Sequence, residues 1–311
     1  MQKCLAFDHA ICLHTNKAVT PCCNFIATEY IQYTDNWQEK FAKQGVDSEQ
    51  GWVPGCDDCE WEDNETGYSL KDRMNENLAG SEGITYFDIK FSNTCNLMCR
   101  MCRPADSSIW TQNITDEYTD NYYNIFQQHT WHKEIELVLG QLHKARYLKF
   151  TGGEPFLIPH VWQVLDKCIE LGIAKNIELL LTTNGTQLKN LDILKQFKSV
   201  ELLVSVDAVG KRYEYIRPGA SWEQVSNNIL QMNKEVNTAI TALPMIWNKD
   251  HRHELDEWGL QNDIEVRWSP PLSNPDPWKI DALERCPDTF IKYAELQDKL
   301  HNTNWREWVN A

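Results

Sequence analysis

The stretch Cys95-Asn96-Leu97-Met98-Cys99-Arg100-Met101-Cys102 carries three cysteines with the spacing C-x3-C-x2-C. It follows an alternating, strand-like run at residues 86–91. A loop with this spacing can fold three sulfurs around one small object, as an iron–sulfur cluster or a zinc ion requires. Three sulfurs leave one iron of a four-iron cluster open, and catalytic metal sites generally keep an open position. The loop therefore predicts a reactive metal site rather than a purely structural one.

The other cysteines are unevenly distributed along the chain. Only Cys168 and Cys286 lie beyond this loop, and we expect both to be packing residues. No signal peptide precedes the cysteines, so they indicate metal or redox work rather than a disulfide framework. Nine of the eleven lie in the first 102 residues, at positions 4, 12, 22, 23, 56, 59, 95, 99 and 102.

Composition excludes several classes of protein. At 311 residues with 42% hydrophobic content, the chain is long enough for one large or two smaller globular domains. Its net charge of −15 argues against a nucleic-acid partner or an anionic membrane surface. No apolar run approaches the length of about 18 residues that a membrane span needs. We expect a soluble, cytoplasmic protein.

Residues 1–60 form a predicted small domain with little core of its own. A hairpin pattern covers residues 11–23, with a turn at Asn16-Lys17, and Cys56-Asp57-Asp58-Cys59 supplies a CxxC turn. So small a segment usually needs a cross-link to be stable, and a metal centre can supply one. Four sulfurs could close such a site, those of Cys4, Cys22, Cys56 and Cys59.

Two other cysteines compete for this site. Cys23 is the alternative to Cys22, and only one of the two should bind because adjacent strand residues point to opposite faces. Cys12 lies in mid-strand and is expected to be a buried small hydrophobe. A structural zinc site is the alternative interpretation of the same spacing. Residues 61–84 are predicted to be a solvated linking helix.

From residue 85 to 311 the pattern alternates between apolar strands and amphipathic helices. Strands are predicted at 86–91, 147–151, 177–181, 200–206, 239–243 and 264–268. Apolar strands between amphipathic helices predict a parallel sheet covered on both faces. Six such units in about 200 residues fit an α/β partial barrel, a (β/α)6 TIM-like fold, better than a closed eight-stranded one.

Polar motifs follow the predicted strands in order. The cysteine loop follows the first strand, Thr151-Gly152-Gly153-Glu154-Pro155 the second, and Thr182-Thr183-Asn184-Gly185-Thr186 the third. Ser205-Val206-Asp207 ends the fourth. Reactive groups belong at the carboxyl ends of the strands in such folds, so these motifs should share one rim.

Together these motifs resemble the radical S-adenosylmethionine (SAM) superfamily over roughly residues 86–270. The resemblance implies that Cys95, Cys99 and Cys102 hold a [4Fe-4S] cluster whose open iron binds SAM. It implies one-electron cleavage of SAM to a 5′-deoxyadenosyl radical, which abstracts a substrate hydrogen. A reductant such as flavodoxin or ferredoxin would supply the electron.

The same resemblance implies roles for residues around SAM. Gly152 and Gly153 would let the backbone approach its methionine end, and Glu154 would accept hydrogen bonds from its ammonium group. Ser205 and Arg217 would hold its carboxylate, while Met101 would lie near the adenine. Asn184 and Asp207 are candidates for ribose contacts or for scaffolding. Alternatively, Arg217 is a surface residue and Asp207 a helix N-cap.

The amino-terminal cysteines resemble the auxiliary-cluster domains called twitch and SPASM, which implies a second [4Fe-4S] cluster. The order along the chain differs, because twitch and SPASM domains usually follow the barrel, whereas these cysteines precede it. By this resemblance we expect hydrogen abstraction from a peptide or protein, giving a cross-link, an oxidation or an epimerisation. The alternative is a small-molecule substrate such as a sugar or nucleotide. A more remote alternative is a non-catalytic redox or metal-binding module.

Overall fold

The computed structural model describes residues 3–15, 17–26, 31–32, 36–102, 106–113, 135–269 and 287–309. The strands in these ranges form one sheet in the order β3-β2-β1-β4-β5-β6-β7-β8-β9. They are β1 (Ala10–Leu13), β2 (Ala18–Thr20), β3 (Ile31–Gln32), β4 (Tyr86–Ile89), β5 (Tyr147–Phe150), β6 (Glu178–Thr183), β7 (Ser199–Ser205), β8 (Asn237–Ala242) and β9 (Val266–Trp268).

The strands β4 to β9 are the six strands predicted from the sequence. The pairs β4–β5, β5–β6, β7–β8 and β8–β9 are parallel, with Tyr86 opposite Tyr147 and Ser205 opposite Thr241. The sheet is open, since β3 and β9 are its two edges. The prediction of an α/β partial barrel is therefore confirmed.

Helices alternate with the strands of this body, as apolar strands covered on their faces require. The helices found in the described ranges are α1 (Ala6–His9), α2 (Trp37–Asp47), α3 (Asp57–Thr66), α4 (Leu70–Leu78), α5 (Ser108–Asn113), α6 (Ile135–Gln141), α7 (Pro159–Glu170), α8 (Leu191–Leu194), α9 (Gly210–Ile216), α10 (Trp222–Glu235), α11 (Arg252–Gln261), α12 (Pro287–His301) and α13 (Arg306–Val309).

The chain divides into two compact units, and the division runs through β6 and β7. The first unit comprises 1–94, 115–181 and 192–200, and the second comprises 95–114, 182–191 and 201–311. In the first unit, β1 and β2 form the predicted antiparallel hairpin. Strand β1 also pairs in parallel with β4, so the cysteine-rich front shares the sheet with the body. The boundaries at residues 60 and 84 stay a prediction.

Two helical segments differ from their sequence pattern. The predicted linking helix is two helices, because Gly67 takes a left-handed conformation (φ 72°) at the end of α3. The carboxylate of Asp72 then accepts a hydrogen bond from the backbone N–H of Ser69 (2.8 Å), which begins α4. Leu188, Leu191, Leu194 and Phe197 have the spacing of an amphipathic helix, but the structure forms only one helical turn there, α8.

Cys168 is fully buried on α7, as the packing interpretation predicts. Cys286 and Asn16 lie outside the described residues. In the part of the chain that the structure describes, no helix has the length and apolarity needed to cross a membrane.

Candidate functional site

Helix α5 holds the cysteine loop within the second unit. The backbone N–H of Cys95 donates to Ser108 Oγ (3.1 Å), and the Trp110 indole N–H donates to the carbonyl of Cys99 (2.8 Å). The backbone N–H of Leu97 lies 3.5 Å from Cys95 Sγ, in a donor position that favours thiolate. Hydrogen bonds to α5 therefore constrain the backbone at Cys95 and at Cys99, the first two cysteines of the loop.

The three thiols of this loop interact electrostatically; Cys99 is buried, whereas Cys95 and Cys102 are partly buried. Burial raises the pKa of Cys99 to about 11, and the charge of Cys95 adds to this effect. Burial also raises the pKa of Cys102 well above its usual range, followed by the charges of Cys99, Asp106 and Cys95. Thiolates that raise one another's pKa gain stability from a shared cation, so these thiols suit a common metal group.

Arg217 and Asp207 form a buried ion pair beside Cys99. Arg217 Nε donates to Asp207 Oδ2 (2.8 Å), and Arg217 Nη1 lies 3.7 Å from Cys99 Sγ. The second oxygen of Asp207 accepts from the backbone N–H of Leu243 (2.9 Å). Asp207 is not a helix N-cap, since α9 begins at Gly210, and Arg217 is not a surface residue. The binding of SAM carboxylate by Arg217 stays a prediction.

Asn184 belongs to a hydrogen-bond network that includes the cysteine loop. Its side-chain amide donates to Asn96 Oδ1 (2.9 Å) and lies 3.9 Å from Cys95 Sγ. Asn96 in turn donates to Thr186 Oγ1 (2.9 Å). This geometry supports the scaffolding alternative for Asn184 over a ribose contact.

In the first unit, the Gly-Gly-Glu motif packs against the backbone that follows β4. A Cβ on Gly153 would overlap the carbonyl oxygen of Thr94, and one on Gly152 (φ 112°) would lie 2.9 Å from that of Ser92. The N–H groups of Gly153 and Glu154 donate to those same carbonyls (3.1 and 2.7 Å). The glycines are thus required by contacts between two loops of the chain itself, besides any contact with SAM.

Three further residues predicted to bind SAM are Glu154, Ser205 and Met101. Glu154 is fully buried, and its carboxylate accepts a hydrogen bond from the backbone N–H of Phe156 (3.0 Å). Ser205 ends β7 and Met101 lies in the cysteine loop, both half-buried. Their contacts with SAM remain predictions.

A second group of thiols lies in the first unit, in an apolar pocket. Cys4, Cys22, Cys56 and Cys59 all line it, together with apolar residues such as Phe7 and Phe25. Cys23 is exposed, and its thiol donates to Asn24 Oδ1 (3.6 Å). Cys12 is buried in β1. The four predicted cysteines thus line one pocket, and their two competitors do not.

The thiols of this pocket also perturb one another. Burial raises the pKa of Cys56 to about 12, and the charges of Cys59 and Cys4 act in the same direction. Burial raises the pKa of Cys59 to about 11, opposed by the backbone N–H of Lys71. The buried ammonium of Lys71, 4.4 Å from the ring centroid of Trp52, opposes the raised pKa of Cys4.

A family model described as the Radical SAM superfamily matches residues 89–259, more than half of the chain. The chain belongs to the radical SAM superfamily. The matched segment contains both the cysteine loop and the Gly-Gly-Glu motif. The chain is therefore a radical SAM enzyme, with S-adenosylmethionine and a [4Fe-4S] cluster as its cofactors.

Several curated radical SAM relatives are named for one reaction. The chain is 24% identical to a GTP 3′,8-cyclase of Alkaliphilus metalliredigens, over 70% of this chain and 64% of that protein. It is 25% identical to the mitochondrial GTP 3′,8-cyclase of Arabidopsis thaliana (70% and 52%). It is 27% identical to molybdenum cofactor biosynthesis protein 1 of Dictyostelium discoideum (76% and 37%). The chain spans less than two thirds of these relatives' length.

Solved structures with a similar fold include anSMEcpe with bound AdoMet, at a TM-score of 0.45 and 17% identity. That alignment covers 70% of this chain and 62% of that one. SuiB of Streptococcus suis bound to S-adenosylmethionine has a TM-score of 0.44 and 16% identity, covering 86% and 55%. At this level of similarity, neither likeness says what this chain binds.

The prediction of a peptide or protein substrate is wrong. The relatives that contradict it are named for a reaction of GTP, which is a nucleotide, and they favour the small-molecule alternative. The error has a physical reason. The peptide substrate was expected from the resemblance of the amino-terminal cysteines to twitch and SPASM domains, and cysteines that could bind a cluster carry no information about the substrate. A twitch or SPASM domain is likewise not established by the comparisons.

The cysteine loop fits the cluster that this family uses. Its donors are three thiols, the ligand type that iron–sulfur clusters require, and the buried one, Cys99, lies beside the cation of Arg217. In the described ranges, no three His, Cys, Asp or Glu side chains are grouped closely enough to share one metal ion. The fit therefore rests on donor chemistry and burial.

Several residues in or around the loop that hold it in place were not among the predicted site residues, and they include Ser108 and Trp110 of α5 as well as Asn96, Thr186 and Gln297. Asn96 and Thr186 complete the network around Asn184, and Gln297 of α12 bonds the backbone of Arg100. The position of Asn96 directly after Cys95 could have identified it from the sequence as a residue that orients the loop. No local pattern points to Gln297, which lies 197 residues from its partner.

Proposed function

We propose that this radical SAM enzyme acts on a small molecule of the nucleotide class, with GTP as the first candidate. The observation that carries the proposal is the agreement among its curated relatives, of which several are named GTP 3′,8-cyclase. A reductant is the other partner, because the family's reaction consumes an electron. Flavodoxin or ferredoxin would suit this role.

The chain's own residues would divide the work of cofactor binding. Cys95, Cys99 and Cys102 would hold the cluster, and Arg217, oriented by Asp207, would place positive charge beside Cys99 and the SAM carboxylate. When bound, the cluster and SAM supply the 5′-deoxyadenosyl radical that removes a hydrogen atom from the substrate. The buried carboxylate of Glu154 would orient the SAM ammonium.

We further propose a second [4Fe-4S] cluster at Cys4, Cys22, Cys56 and Cys59. Four thiols lining one apolar pocket, with a buried ammonium nearby, match the ligand set and charge that such a cluster needs. Residues 1–60 would then be an auxiliary-cluster segment of the twitch type. Four protein ligands leave no iron open for substrate, so this cluster would carry electrons.

The test of the substrate uses fully deuterated GTP with anaerobically reconstituted enzyme, SAM and dithionite. Deuterium should appear in 5′-deoxyadenosine, because the abstracted atom comes from the nucleotide. Deuterated ATP is the comparison, and the Cys95→Ala, Cys99→Ala, Cys102→Ala triple variant should give no 5′-deoxyadenosine at all. Formation of 5′-deoxyadenosine without deuterium from either nucleotide would contradict the nucleotide proposal while leaving the radical chemistry intact.

A further inference from the structure

Arg100 lies between the second and third cysteines of the loop, yet its side chain is fully buried. Its Nε donates to the carbonyl of Tyr215 (2.7 Å). The guanidinium carbon stands 3.8 Å from the ring centroid of Tyr215 and 5.8 Å from that of Trp247. The side chain is therefore packed between aromatic rings instead of being solvated.

The backbone N–H of Arg100 donates to the carbonyl of Ile216 (2.9 Å), and further contacts of Arg100 are with helix α12 and the turn after it. Its carbonyl accepts from Gln297 Nε2 (2.8 Å), and its Nη1 donates to Gln297 Oε1 (3.4 Å). Its Nη2 donates to Thr303 Oγ1 (2.6 Å), and Nη1 lies 3.5 Å from Asp298 Oδ1. The helix thus contacts both the backbone and the side chain of one residue of the cysteine loop.

A buried guanidinium is costly, because its desolvation is only partly offset by an ion pair. An apolar side chain of similar volume would fill the same space at lower cost. An apolar residue, however, would not make directional hydrogen bonds. The planar guanidinium donates to fixed acceptors on Tyr215 and on α12 with the turn after it. Because Arg100 is adjacent to Cys99 and two residues from Cys102, contacts that hold Arg100 also restrain the backbone that carries both cysteines.

We propose that Arg100 and Gln297 form a brace through which helix α12 sets the geometry of the cluster-binding loop. Arg100 and Gln297 are then positioning residues that act on the bound cluster and on SAM through Cys99 and Cys102. The inference rests on the cluster assigned above to the cysteine loop. The competing role is plain anchoring of the carboxyl-terminal helix, which would affect stability alone.

The decisive variant is Gln297→Leu, which nearly preserves volume and removes no charge. Arg100→Met is its counterpart on the loop. Arg212→Met is the matched control, because Arg212 is also buried and its hydrogen bonds go to the carbonyls of Trp247 (2.6 Å) and Trp308 (3.0 Å), which lie outside the loop. Each variant of the full chain is reconstituted anaerobically, and its iron content and melting temperature are measured first.

The readouts are the SAM-induced change in the electron paramagnetic resonance spectrum and the Kd of SAM. We expect Gln297→Leu and Arg100→Met to alter that spectrum and to raise the Kd at least tenfold. Arg212→Met should lower the melting temperature to a similar degree and change neither readout. If Arg100→Met does not fold, Gln297→Leu decides alone.

Two results would overturn the brace. One is an unchanged spectrum and Kd in Gln297→Leu despite a lower melting temperature, which is the signature of anchoring alone. The other is an equal change in Arg212→Met, which would show a general loosening of the unit. Failure of the underlying cluster assignment is distinguishable, because wild-type protein would then lack the SAM-induced spectral change.

Discussion

Gly153 shows why a glycine can be required without any ligand. The space that a Cβ would occupy is taken by the carbonyl of Thr94, and the adjacent N–H of Glu154 donates to that same carbonyl (2.7 Å). The residue therefore joins two loops of the first unit by direct backbone contact. The position of Glu154 depends on this contact.

Gly153→Ala should consequently lower the free energy of unfolding by about 1–3 kcal/mol, the usual cost of forcing extra atoms into a packed site. Urea unfolding of the apoprotein measures this loss. Gly140→Ala is the control, because Gly140 lies exposed in α6 with open space around it, and alanine there should stabilise by roughly 0.5–1 kcal/mol. Equal stabilities of the two variants would mean that the loops do not touch.

At the scale of elements, the ion pair between Asp207 and Arg217 ties together three parts of the second unit. Asp207 follows β7, Arg217 ends α9, and Leu243, which donates to Asp207, follows β8. Both charged side chains are nearly or fully removed from water. A buried charge that loses its partner is strongly destabilising, more so than the intact pair is stabilising.

Asp207→Asn should therefore lower the free energy of unfolding by about 3–5 kcal/mol, since it leaves the Arg217 cation buried and unpaired. The comparison is Asp192→Asn, which breaks an exposed i,i+3 pair with Lys195 (3.0 Å) and should change stability little. Denaturant titration of both variants measures the difference. Similar small losses would show that Arg217 finds water or another anion in the native state.

At the scale of the whole molecule, each unit contains its own set of cysteines. Cys95, Cys99 and Cys102 belong to the second unit, and the four pocket cysteines belong to the first. The two sets differ in number, three against four. That difference predicts an open iron at one cluster and a fully ligated second cluster.

Replacing Cys56 and Cys59 together by alanine should halve the iron, from roughly eight to roughly four per chain, by the stoichiometry of two cubane clusters. SAM cleavage without substrate should persist, while residues 1–60 should become more sensitive to protease. Iron analysis and limited proteolysis measure these effects. Cys23→Ala is the control, because Cys23 is exposed outside the pocket and its loss should leave all the iron. Full iron content in the double variant would refute the second cluster.

The periodicity of the sequence was sufficient to predict β4 to β9 and most of the helices between them. Apolar strands and amphipathic helices are patterns of neighbouring residues, so the sequence displays them directly. The spacing of the cysteines indicated Cys4, Cys56 and Cys59 and one of Cys22 and Cys23, because side chains alternate along a strand, and the structure showed that Cys22 is the one that lines the pocket. The polar motifs follow their strands directly in the sequence, and the fold class predicts that they share one rim, because reactive groups in such folds lie at the carboxyl ends of the strands.

Only the tertiary structure decided which distant groups meet. Nothing local indicates that β1 pairs with β4, that Asp207 holds Arg217, or that Gln297 reaches Arg100. Such contacts depend on how whole elements pack, and one side chain has many possible partners of the same chemistry. The substrate was undetermined for a related reason. The motifs that resemble the family's are predicted to bind its cofactors, whereas a surface that selects a substrate is assembled from residues with no shared spacing.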